Sequence, residues 1–425
     1  MKRTAISLIL TLLMLLVAGT LFANLSSANF FPDPGPDLPR IYIRNDGSVE
    51  PATAPIERTG NLYKLTGNIV LYTIEIQCDN IILDGAGYTI QGNASRIKGY
   101  DDGNNGVIVA GRNNVTIKGL NFEQGDTGIR ISSASQITVI GNSFSNGIST
   151  GITLQDSMQI LIETNDFTDL QTDIGIPSVR LNGSKITFRN NTLIGSAYGV
   201  EITGSSNVIS DNKIEIASQS IRLGAADLNI IARNAITGDI SLVGCSNNMI
   251  FGNNLTGIRI VVGSNNTLFG NYMANNLRLC TIDLDVFAEN NTFYGNTFAS
   301  DFKIRFNDAG TTFWDNGTIG NYWSDYNGTD NNRNGIGDSP YIITGVKWDN
   351  DVGGDVSFVV GQDMYPLMAP FEAPSASTPS LEPQVGSELF AIAVVATVSG
   401  VSVAVIGLGL LVHFKKRSGR LEQKA

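Results

Sequence analysis

ITVIGNSF, residues 137–144, is the first of eight copies of a phrase that runs through the middle of the chain. The later copies begin at residues 160, 186, 207, 229, 248, 266 and 291, and read ILIETNDF, ITFRNNTL, NVISDNKI, NIIARNAI, NMIFGNNL, NTLFGNYM and NTFYGNTF. The sixth position is always asparagine, at Asn142, Asn165, Asn191, Asn212, Asn234, Asn253, Asn271 and Asn296. A repeat this short cannot bury its own apolar face. It must stack on its neighbours, and it therefore predicts a solenoid.

The residues within each copy indicate which kind of solenoid this is. Apolar and polar residues alternate with period two, Ile, Val, Thr and Phe are frequent, and Gly or Asn stands at the corners, so strands are favoured over helices. A second strand-like phrase lies between the copies: GIRIS, GITLQ, SVRLN, GVEIT, SIRLG, DISLV, GIRIV and TIDLD. This pattern predicts an all-β parallel β-helix. Equivalent asparagines would then lie about 4.8 Å apart in successive coils, where their amides can form a hydrogen-bonded ladder.

Both ends of the chain are apolar. Lys2 and Arg3 precede an uncharged run that reaches Phe22, which is the layout of a secretory signal. Residues 389–412 carry no charge, and 24 residues are enough to cross a bilayer. The basic run 415–417 follows, and positive charge on that side places the tail in the cytoplasm. We therefore expect a single-pass protein of the cell membrane with an extracellular repeat domain.

These features divide the chain into seven parts. We expect a signal peptide (1–28), an N-terminal cap and entry to the solenoid (29–79), the β-helix repeats (80–318), a C-terminal cap with an Asp/Asn-rich loop (319–370), a Pro/Ser/Thr stalk (371–387), a transmembrane helix (388–412) and a basic cytoplasmic tail (413–425).

Charge restricts the partners. The predicted signal peptide and residues 389–425 hold seven of the 28 Lys and Arg residues and one of the 39 acidic residues, so the remainder has a formal charge of −17. That balance argues against a nucleic-acid partner and leaves cations and neutral glycans as candidates. Sequons at Asn93, Asn114, Asn265 and Asn327 fit a glycosylated surface protein. No residue pattern calls for an organic cofactor or for zinc.

The repeats resemble those of the NosD-like and carbohydrate-binding/sugar-hydrolase (CASH) family. IYIRNDGSVEP (Ile41–Pro51) and NIILDGAGYTIQG (Asn80–Gly92) are similar to the cap and first coil of its archaeal surface proteins, and GNYWSDYNGTDNNRNGIGDSPY (Gly320–Tyr341) with DMYPL (Asp363–Leu367) is similar to their exit segment. The resemblance covers roughly residues 40–370. It implies a single-stranded right-handed parallel β-helix built from PbH1-type repeats.

The resemblance also implies copper delivery as one alternative function, because the family takes its name from proteins of that role. Copper(I) sites use Met, Cys or His. The only histidine, His413, lies beyond the predicted membrane span, and Met364 and Met368 form the only close methionine pair outside it. The residues therefore argue against copper delivery.

A structural calcium ion is the better metal prediction. Asp330, Asn332, Asn334, Ile336 and Asp338 occupy positions 1, 3, 5, 7 and 9 of a calcium-loop pattern, with glycine at position 6. Position 12 is Tyr341 instead of the bidentate glutamate. The alternative is an Asx-rich turn that only closes the end of the solenoid.

The second phrase predicts a ligand-binding column. Its middle residue should point outward, and those residues include Arg130, Arg180, Glu201, Arg222, Arg259 and Asp283. Arginine on every second coil gives a spacing of about 9.6 Å, near the disaccharide repeat of an extended glycan. The alternative is a solvated ladder of ion pairs.

Three functions compete at this point. A glycan-binding or envelope-scaffold protein is favoured. A polysaccharide lyase needs only arginine or lysine with calcium and stays open, with no catalytic residue assigned, and copper delivery is the third. Insertions between coils are short, which favours a shallow binding face over a deep active site.

Overall fold

The computed structural model describes residues 38–93, 104–170, 176–196, 198–216, 219–274, 280–285, 287–299, 302–307, 310–349 and 353–371. The predicted signal peptide, transmembrane helix and basic tail, and nearly all of the stalk, lie outside these ranges. No helix of the described part has the length and apolarity needed to span a membrane.

The described residues are folded entirely into strands, turns and loops. The strands are β1 Arg40–Ile43, β2 Val49–Glu50, β3 Ile56–Thr59, β4 Leu62–Leu65, β5 Ile69–Val70, β6 Thr73–Ile76, β7 Ile81–Asp84, β8 Thr89–Gln91, β9 Asn105–Ala110, β10 Val115–Lys118, β11 Asn121–Ser132, β12 Thr138–Ile140, β13 Ser143–Glu163, β14 Asp166–Thr168, β15 Val179–Arg189, β16 Thr192–Ile194, β17 Val200–Ile202, β18 Val208–Ser210, β19 Lys213–Glu215, β20 Gln219–Gly224, β21 Ile230–Ala232, β22 Ala235–Ile236, β23 Asp239–Val243, β24 Met249–Phe251, β25 Asn254–Leu255, β26 Gly257–Val261, β27 Thr267–Phe269, β28 Tyr272–Met273, β29 Cys280–Leu284, β30 Asn291–Tyr294, β31 Thr297–Phe298, β32 Phe302–Phe306, β33 Thr312–Phe313, β34 Tyr322–Trp323, β35 Tyr341–Asp349 and β36 Gly354–Asp363.

Three parallel sheets run the length of the molecule. The strands that precede the repeat asparagines, from β4 and β7 to β33, form sheet A, and the strands that follow them, from β5 and β8 to β34, form sheet B. The second phrases, from β6 and β9 to β32 and β35, form sheet C. Strands β11, β13 and β15 bend at the corners and contribute to more than one sheet. The prediction of a parallel β-solenoid is confirmed, with about 10 turns in the described part.

The core is a set of stacked columns, because in-register parallel pairing places each apolar residue over its equivalent in the next coil. Phe122, Phe144 and Phe167 stack with ring centroids 4.9 and 4.7 Å apart and planes within 5°. The backbone that packs against these rings leaves no room for a side chain, so glycine stands there. A Cβ on Gly128 would lie 2.6 Å from the Phe144 ring and 2.8 Å from the carbonyl oxygen of Gly151.

The predicted asparagine ladder is confirmed at the corner between sheets A and B. The side-chain oxygen of Asn142 accepts a hydrogen bond from the backbone N–H of Leu120. Each later side-chain oxygen accepts hydrogen bonds from the backbone N–H and the amide of the preceding asparagine. At Asn165 and Asn191 these two donor–acceptor distances are 2.9 and 3.1 Å. Each amide also donates to a carbonyl of the coil before, as Asn165 does to Val139 at 3.0 Å. All eight predicted members are buried, and Asn321 is a ninth.

A second ladder lies at the corner between sheets C and A, and the sequence reasoning missed it. Its members are Asn207, Asn229, Asn248, Asn266 and Asn291, each within hydrogen-bond distance of the next. The signal was in the repeat itself. The first position of the phrase is isoleucine in the first three copies and asparagine in the last five.

The solenoid extends beyond the predicted repeat region at both ends. Parallel pairing begins before residue 80, since β1 pairs with β6, β4 with β7 and β5 with β8. At the other end Trp323 is fully buried between Phe298 and Tyr341, with ring centroids 4.4 and 4.6 Å away. The antiparallel hairpin of β35 and β36 follows. These elements close the apolar interior.

Asp363, at the end of β36, terminates the first ladder. It is fully buried, and its Oδ2 accepts hydrogen bonds from the backbone N–H of Asn321 at 2.6 Å and from Nε1 of Trp323 at 2.8 Å. Its Oδ1 accepts from the backbone N–H of Tyr365 at 3.0 Å. Burial raises the pKa of Asp363, while the hydrogen bonds from Asn321, Trp323 and Tyr365 act in the opposite direction.

Candidate functional site

The outward column predicted from the sequence lies on sheet C. Strand register pairs its residues one coil after another, in the order Arg130, Thr153, Arg180, Glu201, Arg222, Ser241, Arg259, Asp283 and Arg305. All six predicted binding residues therefore share one face. Arg305, which the prediction did not include, extends the alternation of arginines by one coil.

The arginines of this column form ion pairs along the solenoid axis. Glu201 lies between Arg180 and Arg222, with nitrogen–oxygen distances of 3.1 and 3.7 Å. Arg259 pairs with Asp283 at 3.5 Å and with Asp285 at 3.6 Å. The three arginine side chains are 35% to 49% exposed. Ion pairs at this exposure contribute only about 0.2–1 kcal/mol each to stability.

A groove of about 330 Å³ lies over this column. Its floor carries Glu201, Arg222, Ser241 and Arg259. Its wall includes Pro177 and Tyr198, which precede β15 and β17 at the corner between sheets B and C. Sequence reasoning missed this wall, because a residue at a corner has no place in the strand alternation. The groove is partly open to solvent.

Ser241 has a buried hydroxyl at the floor of the groove. The residue is 2% exposed, and its Oγ has no hydrogen-bond partner among the described residues. Strand register places it between Arg222 and Arg259. One coil past Arg259, Oδ1 of Asp283 is also buried without a hydrogen-bond partner in the described part. An unsatisfied buried polar group costs about 1–3 kcal/mol, which a ligand hydroxyl can recover.

Burial shifts the pKa of one residue near each end of the column, Arg130 and Asp283. Burial raises the pKa of Asp283, while Arg259 opposes that shift. Burial lowers the pKa of Arg130. Arg130 and Arg180 do not line the groove, which lies over Glu201, Arg222 and Arg259.

The exit loop places the five predicted calcium ligands in a set of turns. Asp330 accepts hydrogen bonds from the backbone N–H groups of Asn334 at 3.1 Å and Gly335 at 2.8 Å, and Asn334 accepts from Ile336 at 2.9 Å. Asp338 instead accepts from the amide of Asn331 and from the Thr329 hydroxyl. No bond joins Asn332 to Asp338 among the described contacts. These turns supply the local hydrogen bonds of an Asx-rich turn, and the calcium site stays a prediction.

Tyr341, at position 12 of the pattern, does not complete this loop. The Tyr341 hydroxyl donates hydrogen bonds to both carboxylate oxygens of Asp325 at 2.9 and 3.0 Å. Burial, followed by the contact with Asp325, raises the pKa of Tyr341.

Fold and repeat geometry define the class of this protein, and family comparisons agree with it. The model described as "Right handed beta helix region" matches residues 79–236, and the model described as "Periplasmic copper-binding protein (NosD)" matches residues 172–328. The described residues form a parallel β-helix, and the matched stretches are similar to right-handed β-helix and NosD proteins. No curated protein matches the sequence significantly.

Solved structures with a similar course of the chain have low sequence identity. The surface adhesin PfbA of Streptococcus pneumoniae is 11% identical with a TM-score of 0.47, over 72% of this chain and 89% of the adhesin. A mutant of the periplasmic alginate epimerase AlgG is 12% identical with a TM-score of 0.41, over 64% and 83% of the two chains. A tailspike mutant of E. coli bacteriophage HK620, in complex with pentasaccharide, is 12% identical with a TM-score of 0.35, over 62% and 55%. Likeness at this level identifies no ligand.

The residues of the described part do not fit a copper site. It contains no group of three His, Cys, Asp or Glu side chains that could hold a metal ion together. Cys245 is buried, and burial raises the pKa of its thiol, which disfavours the thiolate that binds metal. Met273 is also buried, whereas Met158 lies exposed. His413 lies outside the described residues.

Proposed function

We propose that this protein binds a glycan in the groove on the outer face of sheet C. The observation that carries the proposal is the grouping, within adjacent coils, of two half-exposed guanidinium groups, a carboxylate, a buried unpaired hydroxyl and a tyrosine ring. Hydrogen-bond donors and acceptors beside an aromatic ring suit a sugar, which has hydroxyl groups around a ring with apolar C–H faces.

The repeat of the column supports an extended chain as ligand. Arg180, Arg222 and Arg259 alternate with other residues, so equivalent guanidinium groups lie about 9.6 Å apart along the solenoid axis. A rigid sheet holds them at that spacing. A glycan lying along the axis can meet one arginine with every second sugar unit. The groove can therefore add contacts along a glycan without enclosing the glycan.

We propose that this binding takes place outside the cytoplasm on a membrane-anchored protein. The signal-like N-terminus, the apolar segment 389–412 and the following basic run support an exterior repeat domain. The matched NosD family is described as periplasmic, which agrees with that side of the membrane.

The test is retention of the purified full-length chain on a panel of neutral and acidic polysaccharides, with release of new chain ends measured in the same samples. Arg222→Ala and Arg259→Ala should each weaken retention roughly tenfold, since a charge-assisted hydrogen bond contributes about 1.5–3 kcal/mol. Arg189→Ala is the matched control. Arg189 is 40% exposed and pairs with Glu163 at 2.9 Å, but it lies on sheet A.

Loss of retention in the two groove variants and not in Arg189→Ala would support the proposal. Equal retention in all four proteins, or no retention by any, would refute it. Release of new chain ends would instead assign the protein to the polysaccharide-cleaving enzymes, the alternative that the sequence left open.

A further inference from the structure

We infer that the groove recognises a neutral, hydroxyl-rich glycan and discriminates against acidic ones. This inference rests on the proposed function and adds the chemical class of the ligand. It follows from three observations on sheet C: the charge balance of the groove, the pairing of its arginines and the position of its unsatisfied polar atoms.

The charge of this face is close to balanced. Along the outward column of sheet C from Arg180 to Arg305, the guanidinium groups are Arg180, Arg222, Arg259 and Arg305. The carboxylates on or beside this column are Glu201, Asp239, Asp283 and Asp285. Four positive against four negative groups leave no formal net charge on the binding face. A polyanion would gain little attraction from such a field.

The guanidinium groups that could bind a carboxylate or sulfate already have carboxylate partners. Arg180 and Arg222 share Glu201, and Arg259 lies between Asp283 and Asp285. An acidic sugar would have to displace a carboxylate that the protein backbone holds in place. It would also bring a second negative charge beside the first, and like charges in contact are unfavourable at an interface.

The same pairing suits hydroxyl groups. A sugar hydroxyl both donates and accepts a hydrogen bond, so it can accept from a guanidinium nitrogen and donate to the carboxylate one coil away. Ser241 adds a hydroxyl that has no partner in the described part, and one coil beyond the groove Oδ1 of Asp283 is an acceptor in the same condition. Tyr198 on the wall offers a ring against which a pyranose face can pack.

The experiment measures Kd of the full-length protein for a neutral glucan, a neutral mannan, a polygalacturonate and a dextran sulfate, at about 50 mM and about 500 mM NaCl. A neutral polysaccharide should bind at least tenfold more tightly than either polyanion, and its Kd should change less than about threefold with salt. Tighter binding of a polyanion, weakened strongly by salt, would overturn this inference and leave glycan binding intact. Binding to none of the four would overturn the proposed function as well.

Two variants test the named groups. Ser241→Ala should weaken neutral-glycan binding about threefold to tenfold. Ser220→Ala is its control, because Ser220 also has a buried unpaired hydroxyl in the described part but does not line the groove. Ser220→Ala should bind as the natural protein does. Equal affinities for both serine variants would contradict the inference.

Glu201→Gln releases Arg180 and Arg222 from their carboxylate and raises the formal charge of the face from 0 to +1. It should gain affinity for polygalacturonate on the order of tenfold, mainly in the low-salt sample. An unchanged preference in this variant would show that the ion pairs do not set the ligand class.

Discussion

Asn253→Ala removes one amide from the asparagine ladder and leaves its exposed neighbour Asn254 in place. The Oδ1 of Asn253 accepts hydrogen bonds from the backbone N–H and the amide of Asn234, both at 2.9 Å. Its amide nitrogen donates to the carbonyls of Ile231 and Phe251 at 2.9 and 3.1 Å and to Oδ1 of Asn271 at 3.0 Å. The residue is 1% exposed, so water cannot replace these bonds.

The expected loss of stability follows from these contacts. An amide nitrogen has two hydrogens for its three acceptors, so the side chain supplies about four full hydrogen bonds. At about 1 kcal/mol each they contribute about 4 kcal/mol. The backbone N–H of Asn234 would be left without its acceptor, which alone costs about 1–3 kcal/mol. We expect Asn253→Ala to lower the free energy of unfolding by about 3–5 kcal/mol.

Urea unfolding followed by far-ultraviolet circular dichroism measures this loss. The m-value should be compared between proteins, because a solenoid that unfolds in separate parts would change it. Asn254→Ala is the control, since Asn254 lies next to Asn253 but points outward from β25. It should change the free energy of unfolding by less than about 0.5 kcal/mol. If both variants fell within that margin, the ladder would not hold the coils together as argued.

Three further predictions concern the core, the C-terminal end and the exit loop. Gly128→Ala should destabilise the protein by about 1–3 kcal/mol, because its Cβ would clash with the Phe144 ring; unchanged urea unfolding would contradict the packing described. Burial raises the pKa of Asp363 above the ordinary 3.8, so the folded state holds this proton more tightly than the unfolded chain. The protonated carboxyl therefore stabilises the folded state below about pH 4, and this contribution is lost as the pH rises through the pKa of the folded state. Asparagine does not titrate, so the free energy of unfolding of Asp363→Asn, measured relative to the natural protein, should increase between about pH 4 and about pH 7. A pH-independent difference would count against the shift. Calcium should raise the melting temperature of the natural protein relative to chelator, and it should fail to do so in Asp330→Ala. Identical melting curves of the natural protein in calcium and in chelator would exclude a structural ion in the loop.

The outward column of sheet C shows what the alternation of residues along a strand can predict and what it cannot. The sequence predicted that Arg180, Glu201 and Arg222 share a face, since alternate residues of a strand point to the same side. Although the coil spacing varies from 18 to 26 residues, the order of the second phrases already predicted Glu201 between Arg180 and Arg222. Pairing in register then brought Glu201 between the two arginines. The ion-pair alternative was visible in the sequence, but its extent to Asp285 was not.

The groove itself could not be predicted. Tyr198 and Pro177 stand at corners, where no periodic rule applies, and only the path of the chain between sheets B and C makes them a wall beside Arg222. The unsatisfied hydroxyl of Ser241 is likewise a property of its surroundings. A serine in an outward position is ordinarily solvated, and here it is buried.

By itself, the amino-acid sequence determined that this protein is a stacked β-coil with an asparagine ladder. The alternation of residues along a strand and the asparagine at a corner are local features of one repeat. Because the repeats stack, each of these features lies over its equivalent in the next coil. Only the tertiary structure decided how the ladder ends and where a ligand can lie. Asp363 reaches Asn321 across 42 residues and Trp323 across 40. Contacts at such separations depend on how many residues each corner takes up, which no repeat unit specifies.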